Sequence, residues 1–141
     1  MLVPRSGDRY SLKVGEITFK IRPMRYLEKA EAMACTARSG GEEYTDQLRM
    51  VAAVMKYSIC GVEGLTNFDG TKYEVTLSED GKCLTDDCID EIMNLEIIDK
   101  LTFAAMGIIR GTGESILNPL TGDVVEGVRF VYPKVKVSKA K

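Results

Sequence analysis

The chain has 141 residues, 45% hydrophobic, 28% charged and 7% aromatic, with no His and no Trp. That length supports one core and not two, and the balance of residues excludes a wholly disordered chain. Nineteen basic against 21 acidic side chains give a net charge of −2, which calls for no polyanionic partner. The lack of His removes the commonest general base and metal ligand.

The first seven residues, MLVPRSG, include LVPR, which looks like part of a protease-cleavage tag, and they stay out of the fold argument. From Tyr10 to Met24, Leu12, Val14, Ile17, Phe19 and Ile21 alternate with polar residues around Gly15-Glu16. Glycine at the first position of a two-residue connection predicts a type II′ β-hairpin with one apolar face. Pro23 then opens a helix whose Leu27, Ala30, Ala34 and Ala37 recur on one thin face, and Ser39-Gly40-Gly41 stops it. A second helix is expected from about Glu42 to Cys60. Its stripe of Tyr44, Leu48, Val51, Met55 and Ile59 is spaced four, three, four and four, and Gly61 and Gly64 end it.

Asp69-Gly70, between Leu65-Phe68 and Tyr73-Val75-Leu77, signals a turn and a short central strand pair, and Asp80-Gly81 signals another turn. Thr85 caps a short helix that carries Asp86 and Asp87 in its first turn, near the positive end of the dipole. Asn94 ends that helix and is expected to cap the next, which carries Ile98, Leu101, Ala105 and Ile108 or Ile109 on one stripe and stops at Gly111-Thr112-Gly113. Asn118-Pro119 and Thr121-Gly122-Asp123 are turn signals. Val124 to Val137 is rich in β-branched residues and is broken by Pro133, which suits an edge strand or an arm on the hairpin sheet.

The fold class expected is α+β: about four helices, an N-terminal hairpin, a short central strand pair and a C-terminal β arm. Residues 8–113 form one globular domain in this reading, and residues 114–141 form the arm with its basic tail. From Gly127 onward five bases (Arg129, Lys134, Lys136, Lys139 and Lys141) stand without a carboxylate side chain, leaving −7 on the first 126 residues. Such a tail suits nucleic acid, anionic lipid or a solvated arm. With only Tyr132 after Phe130 to stack on a base, the solvated arm is the better reading.

Cys35, Cys60, Cys83 and Cys88 follow no leader-like or membrane-spanning apolar run, so reduced thiols in a cytoplasmic setting are expected. A zinc site from these four is conceivable, but they lack paired-knuckle spacing. Cys35 and Cys60 read as small core residues, and the methionines in or beside the helices read as core filler. Gly107, Gly111 and Gly113 imitate a phosphate loop, but a helix precedes them where a strand is needed. The acidic group Asp86, Asp87, Asp90 and Glu91 fails calcium-loop spacing and reads as a solvated helix face. No Ser or Cys stands at a recognisable spacing from a base, so neither an enzyme nor a cofactor is expected.

One longer pattern remains. Ile17-Thr18-Phe19-Lys20-Ile21-Arg22-Pro23-Met24 leads into an alanine- and glutamate-rich helix from Tyr26 to Ala37. A second helix then ends VMKYSICGVEGLTNFDGTKYEVTL, and LTDDCIDEIMNLEIIDKL follows. This layout, over roughly residues 16–110, resembles the tail assembly chaperones of long-tailed bacteriophages. The resemblance implies a non-enzymatic, mostly helical protein of the bacterial host cytoplasm, with the phage tape-measure and tail-tube proteins as partners. The tape measure is a long amphipathic helix that needs shielding, and apolar stripes suit that task. The second-helix stripe and the arm then supply the candidate contacts: Leu48, Val51, Met55, Ile59, Phe130 and Tyr132. The alternative is a structural subunit of the same particles, a head–tail connector or tail-tube protein, forming rings through β contacts and self-association.

Overall fold

A computed structural model describes Arg5 and residues 7–34, 43–110, 115–117 and 123–132. In chain order these form β1 (Tyr10–Val14), β2 (Ile17–Ile21), α1 (Tyr26–Ala34), α2 (Glu43–Ser58), β3 (Ile59–Glu63), α3 (Asp86–Met93), α4 (Ile98–Arg110), β4 (Ser115–Leu117) and β5 (Val124–Val131). The strands make one five-stranded sheet in the order β3-β2-β1-β5-β4, with every neighbouring pair antiparallel. The α+β class is as the sequence predicts.

Alternation of apolar and polar residues gives this sheet one buried face. Leu12 faces Phe19 on β2 and Phe130 on β5, and Phe19 faces Val62 on β3, so one apolar row crosses four strands. Residues of the other parity, among them Lys13, Thr18, Lys20 and Arg129, point away from the core. Helix α4 lies against β1 and β5, α2 packs on α4, and α1 and α3 pack on α2. Val51, Val54 and Met55 of α2 meet Leu101, Ala104, Ala105 and Ile108 of α4 in a single core with the sheet row.

Local signals hold where local physics decides. Val14 and Ile17 pair across Gly15-Glu16 with Gly15 at φ +60°, as a type II′ turn requires. The Thr85 hydroxyl accepts from the Cys88 N–H at 3.3 Å and caps α3. Helix α4 buries Leu101, Ala105 and Ile108 as its stripe predicts.

The differences have physical causes. Asn94 closes α3, its amide donating to the Asp90 carbonyl at 2.7 Å, and is not the cap of α4. Pro23 lies before α1 rather than in its first turn. The Glu28 carboxylate accepts from the Arg25 N–H at 2.9 Å and from the Arg22 guanidinium at 3.2 Å, and this half of a capping box starts the helix at Tyr26. That anchoring sets the helix rotation. Ala32 is buried and Glu28 half-buried, while Leu27, Ala30 and Ala34, expected to face the core, are exposed.

Helix α2 stops at Ser58 rather than Cys60, and the residues read as its end and stop become β3. The Ser58 hydroxyl donates back to the Val54 carbonyl at 2.6 Å, and the Ser58 carbonyl accepts from the Arg22 N–H at 2.8 Å, handing the chain to β2. Ile59 and Val62 are both buried although three residues apart, because the register shifts between Lys20 and Ile21 and leaves Cys60 as an extra residue. The central strand pair is reduced to one isolated bridge, Thr66 with Lys72, and Leu77 bridges Leu84 beyond the second turn instead.

The C-terminal β segment lies inside the sheet as β5, between β1 and β4, rather than as an edge strand or appended arm. Val128 and Phe130 belong to the same core as residues 12–108. Expectations for the first four residues, Cys35, Ala37, Ser39-Gly40-Gly41, Gly111-Thr112-Gly113, Asn118-Pro119, Pro133 and the lysine tail fall outside the described residues.

Two substitution pairs test this layout by denaturant unfolding. Phe130→Ala is expected to cost about 3–5 kcal/mol, and Val131→Ala, at the surface, less than about 0.5 kcal/mol. Equal small effects would make β5 dispensable. Gly64 has φ +93°, and a Cβ there would lie 2.6 Å from the Glu16 carbonyl oxygen, whereas a Cβ at Gly70 (φ +88°) meets nothing. Gly64→Ala therefore costs about 3 kcal/mol and Gly70→Ala about 1 kcal/mol. The same loss at both sites would contradict the close approach of Gly64 to the hairpin turn.

Candidate docking site

Beyond β3 the chain builds a loop held by its own side chains. The Gly70 N–H donates to the Asn67 carbonyl at 3.0 Å, closing a β-turn with Phe68 and Asp69 at its apex. Gly70 follows in the left-handed conformation that such a turn needs before the chain re-enters pairing. The Asp69 carboxylate accepts from the Thr71 N–H at 3.0 Å and hydroxyl at 2.6 Å, and the Asn67 amide donates to the Thr71 hydroxyl at 3.0 Å. These Thr71 donors hold the Asp69 carboxyl below its ordinary pKa. The turn is thus ordered by local polar bonds alone, and it raises Phe68 fully into solvent.

The returning strand ties the loop to α3. The Tyr73 N–H donates to the Leu65 carbonyl at 3.0 Å, and the Tyr73 hydroxyl lies 3.2 Å from both the Cys88 Sγ and the Glu91 Oε1. Burial, then the Cys88 bond and the nearby Glu91 charge, push the Tyr73 pKa above its ordinary value. Between loop and helix lies an open cleft of about 470 Å³, lined by residues 65–68, Tyr73, Glu91, Ile92 and Leu95. A second loop repeats the chemistry: the Asp80 carboxylate takes the Ser78 hydroxyl at 2.5 Å and the Lys82 N–H at 2.9 Å. The Arg22 guanidinium also reaches the Lys82 carbonyl.

The residues that the sequence nominated for partner contact lie elsewhere. Val51, Met55, Ile59 and Phe130 are fully buried and hold the core, which removes them as a docking surface. Leu48 is half-buried on α2. Tyr132, also half-buried, stacks on Tyr10 with ring centroids 5.1 Å apart, and Phe130 meets Tyr10 edge-on at 5.7 Å. The structure therefore brings Phe130 and Tyr132 together, but around Tyr10 and not at a free surface. What the reading missed is Phe68 and the cleft. A large apolar residue at the apex of an Asn-Phe-Asp-Gly turn was the available signal, because turn apices favour small or polar residues.

No family model, curated protein or solved structure matches the chain. Among the described residues no group of three or more Cys, Asp and Glu side chains is placed to hold a metal ion, and Cys60, Cys83 and Cys88 are free thiols. Asp86, Asp87, Asp90 and Glu91 are all exposed on α3. No helix of the described residues is long and apolar enough to cross a membrane.

Three tyrosines give the fold an alkaline limit. Burial raises the Tyr10 pKa, and the 2.9 Å bond from the Tyr57 hydroxyl to Glu31 leads the causes that push Tyr57 up to about 12. Together with Tyr73, these groups stay protonated in the folded chain after they would ionise in the unfolded one, at about pH 10. Their contribution is complete below that pH and is lost as pH rises toward 12 and beyond. Tyr73→Phe is expected to lower stability by about 1 kcal/mol at neutral pH. It should also flatten the decline of the unfolding midpoint above about pH 10. A variant as steep as the parent would remove Tyr73 from that account.

Proposed function

We propose that the chain is a non-enzymatic assembly chaperone of the long-tailed phage type, acting in the host cytoplasm. In this reading it covers an apolar helical segment of a tape-measure protein and brings tail-tube subunits to it. The observation that supports this is the outward face of α1. Tyr26 is 83% exposed and Leu27 78% exposed, with Ala30 and Ala34 exposed along the same helix. Leu27, Ala30 and Ala34 stand at helical spacing, so they form one stripe. Two large apolar groups beside small alanines suit close approach of a second helix, and apolar helix-to-helix contact is how such a partner would be shielded. The contact moves from the α2 stripe, which the core uses, to α1.

A second reading is a structural subunit that forms rings through β contacts. It would use the outer edges of β3 and β4, since β5 is paired on both sides.

The test is co-expression with a long coiled-coil tape-measure protein, followed by size-exclusion chromatography with light scattering. Many copies on that helix are expected from the parent chain. Loss of co-elution is expected from the double variant Tyr26→Glu, Leu27→Glu, whose stability should stay within about 1 kcal/mol because both sites are exposed. Co-elution of the folded double variant would sink the α1 assignment. A closed ring formed by the parent chain alone would favour the structural subunit.

A further inference from the structure

The cleft between the Phe68 loop and α3 joins one carboxylate to an otherwise uncharged lining. Its polar residues are Thr66, Asn67, Tyr73 and Glu91. Glu91 takes the Tyr73 hydroxyl on Oε1 and has no partner on Oε2 among the described residues. The Asn67 amide nitrogen is engaged by Thr71 and by the Lys72 carbonyl, which leaves the Asn67 Oδ1 as an open acceptor. Phe68 and Tyr73 line the same space with the apolar Leu65, Ile92 and Leu95. Asp87, one helical turn before Glu91 on α3, is exposed but does not line the cleft. The nearest base in the loop, Lys72, does not line the cleft.

A mostly apolar cleft that holds one carboxylate, Glu91, beside Tyr73 and Phe68 suits a long side chain that ends in a delocalised cation. Guanidinium offers five donors in a planar fork, stacks on aromatic rings and is weakly hydrated, whereas ammonium is a strongly hydrated point charge. We infer that this cleft binds an arginine side chain projecting from a helical or extended segment of a partner protein. The aliphatic stem lies over Leu65, Ile92 and Leu95, the guanidinium bonds to Glu91 and Asn67, and Phe68 covers it. The Asp69–Thr71 bonds fix the backbone of the turn that carries Phe68, and its exposed ring is free to close over the stem on binding. The site uses none of the α1 residues and stands whether or not the chaperone reading holds.

Fluorescence anisotropy with three labelled amphipathic peptides tests it on the full chain. The peptides share one leucine face and about five helical turns, and carry arginine, lysine or glutamate on the other face. The arginine peptide is expected to bind, the lysine peptide about fivefold more weakly, and the glutamate peptide not at all. Phe68→Ala and Glu91→Gln are each expected to weaken the arginine peptide by about tenfold. Asp90→Asn, another exposed acid of α3, should change binding by less than about twofold. Both cleft variants alter exposed side chains, and an unchanged thermal midpoint shows that they remain folded.

Absence of binding by the arginine peptide overturns the inference, as does equal binding of the glutamate peptide. An Asp90→Asn loss equal to that of Glu91→Gln would mean general charge attraction, and it overturns the site too. A dimer of the chain that Phe68→Ala dissolves would assign the cleft to a second copy and overturn it in the same way.

Discussion

Leu12 of β1 lies between Phe19 of β2 and Phe130 of β5, and the remainder of the molecule is arranged around that row. Each of these side chains is fully buried, and burial of a large apolar side chain contributes about 1.5–3 kcal/mol. The row joins positions that are about as far apart as the described chain allows. Its assembly therefore carries a large loop-closure cost before the contacts form, which slows folding relative to a bundle of local helices. Once it is formed, α4 has a sheet face to lie on, α2 has α4, and α1 and α3 have α2. The core is one continuous body because β5 sits beside β1.

The polar loops solve a different problem. Residues 65–83 have few apolar side chains to bury, so their order comes from short-range acceptors. Asp69 and Asp80 each bind an N–H and a hydroxyl within two residues of themselves. Such bonds are local and need no core, which leaves the loop apices free to display side chains outward. Phe68 is displayed in this way. Tyr73 then joins loop to helix with one hydroxyl, reaching both Cys88 and Glu91. The cleft exists because a locally ordered turn is fastened to a capped helix, and neither part alone encloses it.

The outer side of α1 and the Phe68 loop, which carry the most exposed large apolar side chains among the described residues, differ in character. The α1 face is uncharged at Tyr26, Leu27, Ala30 and Ala34 and suits an apolar helix. The cleft sets Glu91 and Asn67 beside aromatic rings and suits a cationic side chain. The face of the sheet opposite the helices presents Lys13, Lys20 and Arg129 together with Glu63.

Short-range features were legible from the residues alone, because the physics that sets them acts over a few positions. The Gly15-Glu16 turn, the Thr85 cap, the Asp69-Gly70 turn and the α4 stripe all belong to this class. Of the second-helix stripe, Leu48, Val51 and Met55 lie on α2, while Ile59 belongs to β3. What spacing could not tell is whether a face is covered by the protein's own core or by a partner, and here the core took it. The rotation of α1 was decided by Arg22 and Glu28, an ion pair across the strand–helix junction that no periodicity records. The end of α2 was decided by β2, whose open edge drew Ile59–Glu63 into the sheet through a one-residue bulge that disguises the alternation of a strand. The place of β5 was settled by pairing between the two ends of the chain. By itself the sequence determined the hairpin turn, the Thr85 cap and the α4 stripe, since hydrogen bonds and sterics within a few residues decide these. Only the tertiary structure decided which apolar faces are interior and that Phe68, Tyr73 and Glu91 share a cleft, because burial and juxtaposition depend on residues far away in the chain.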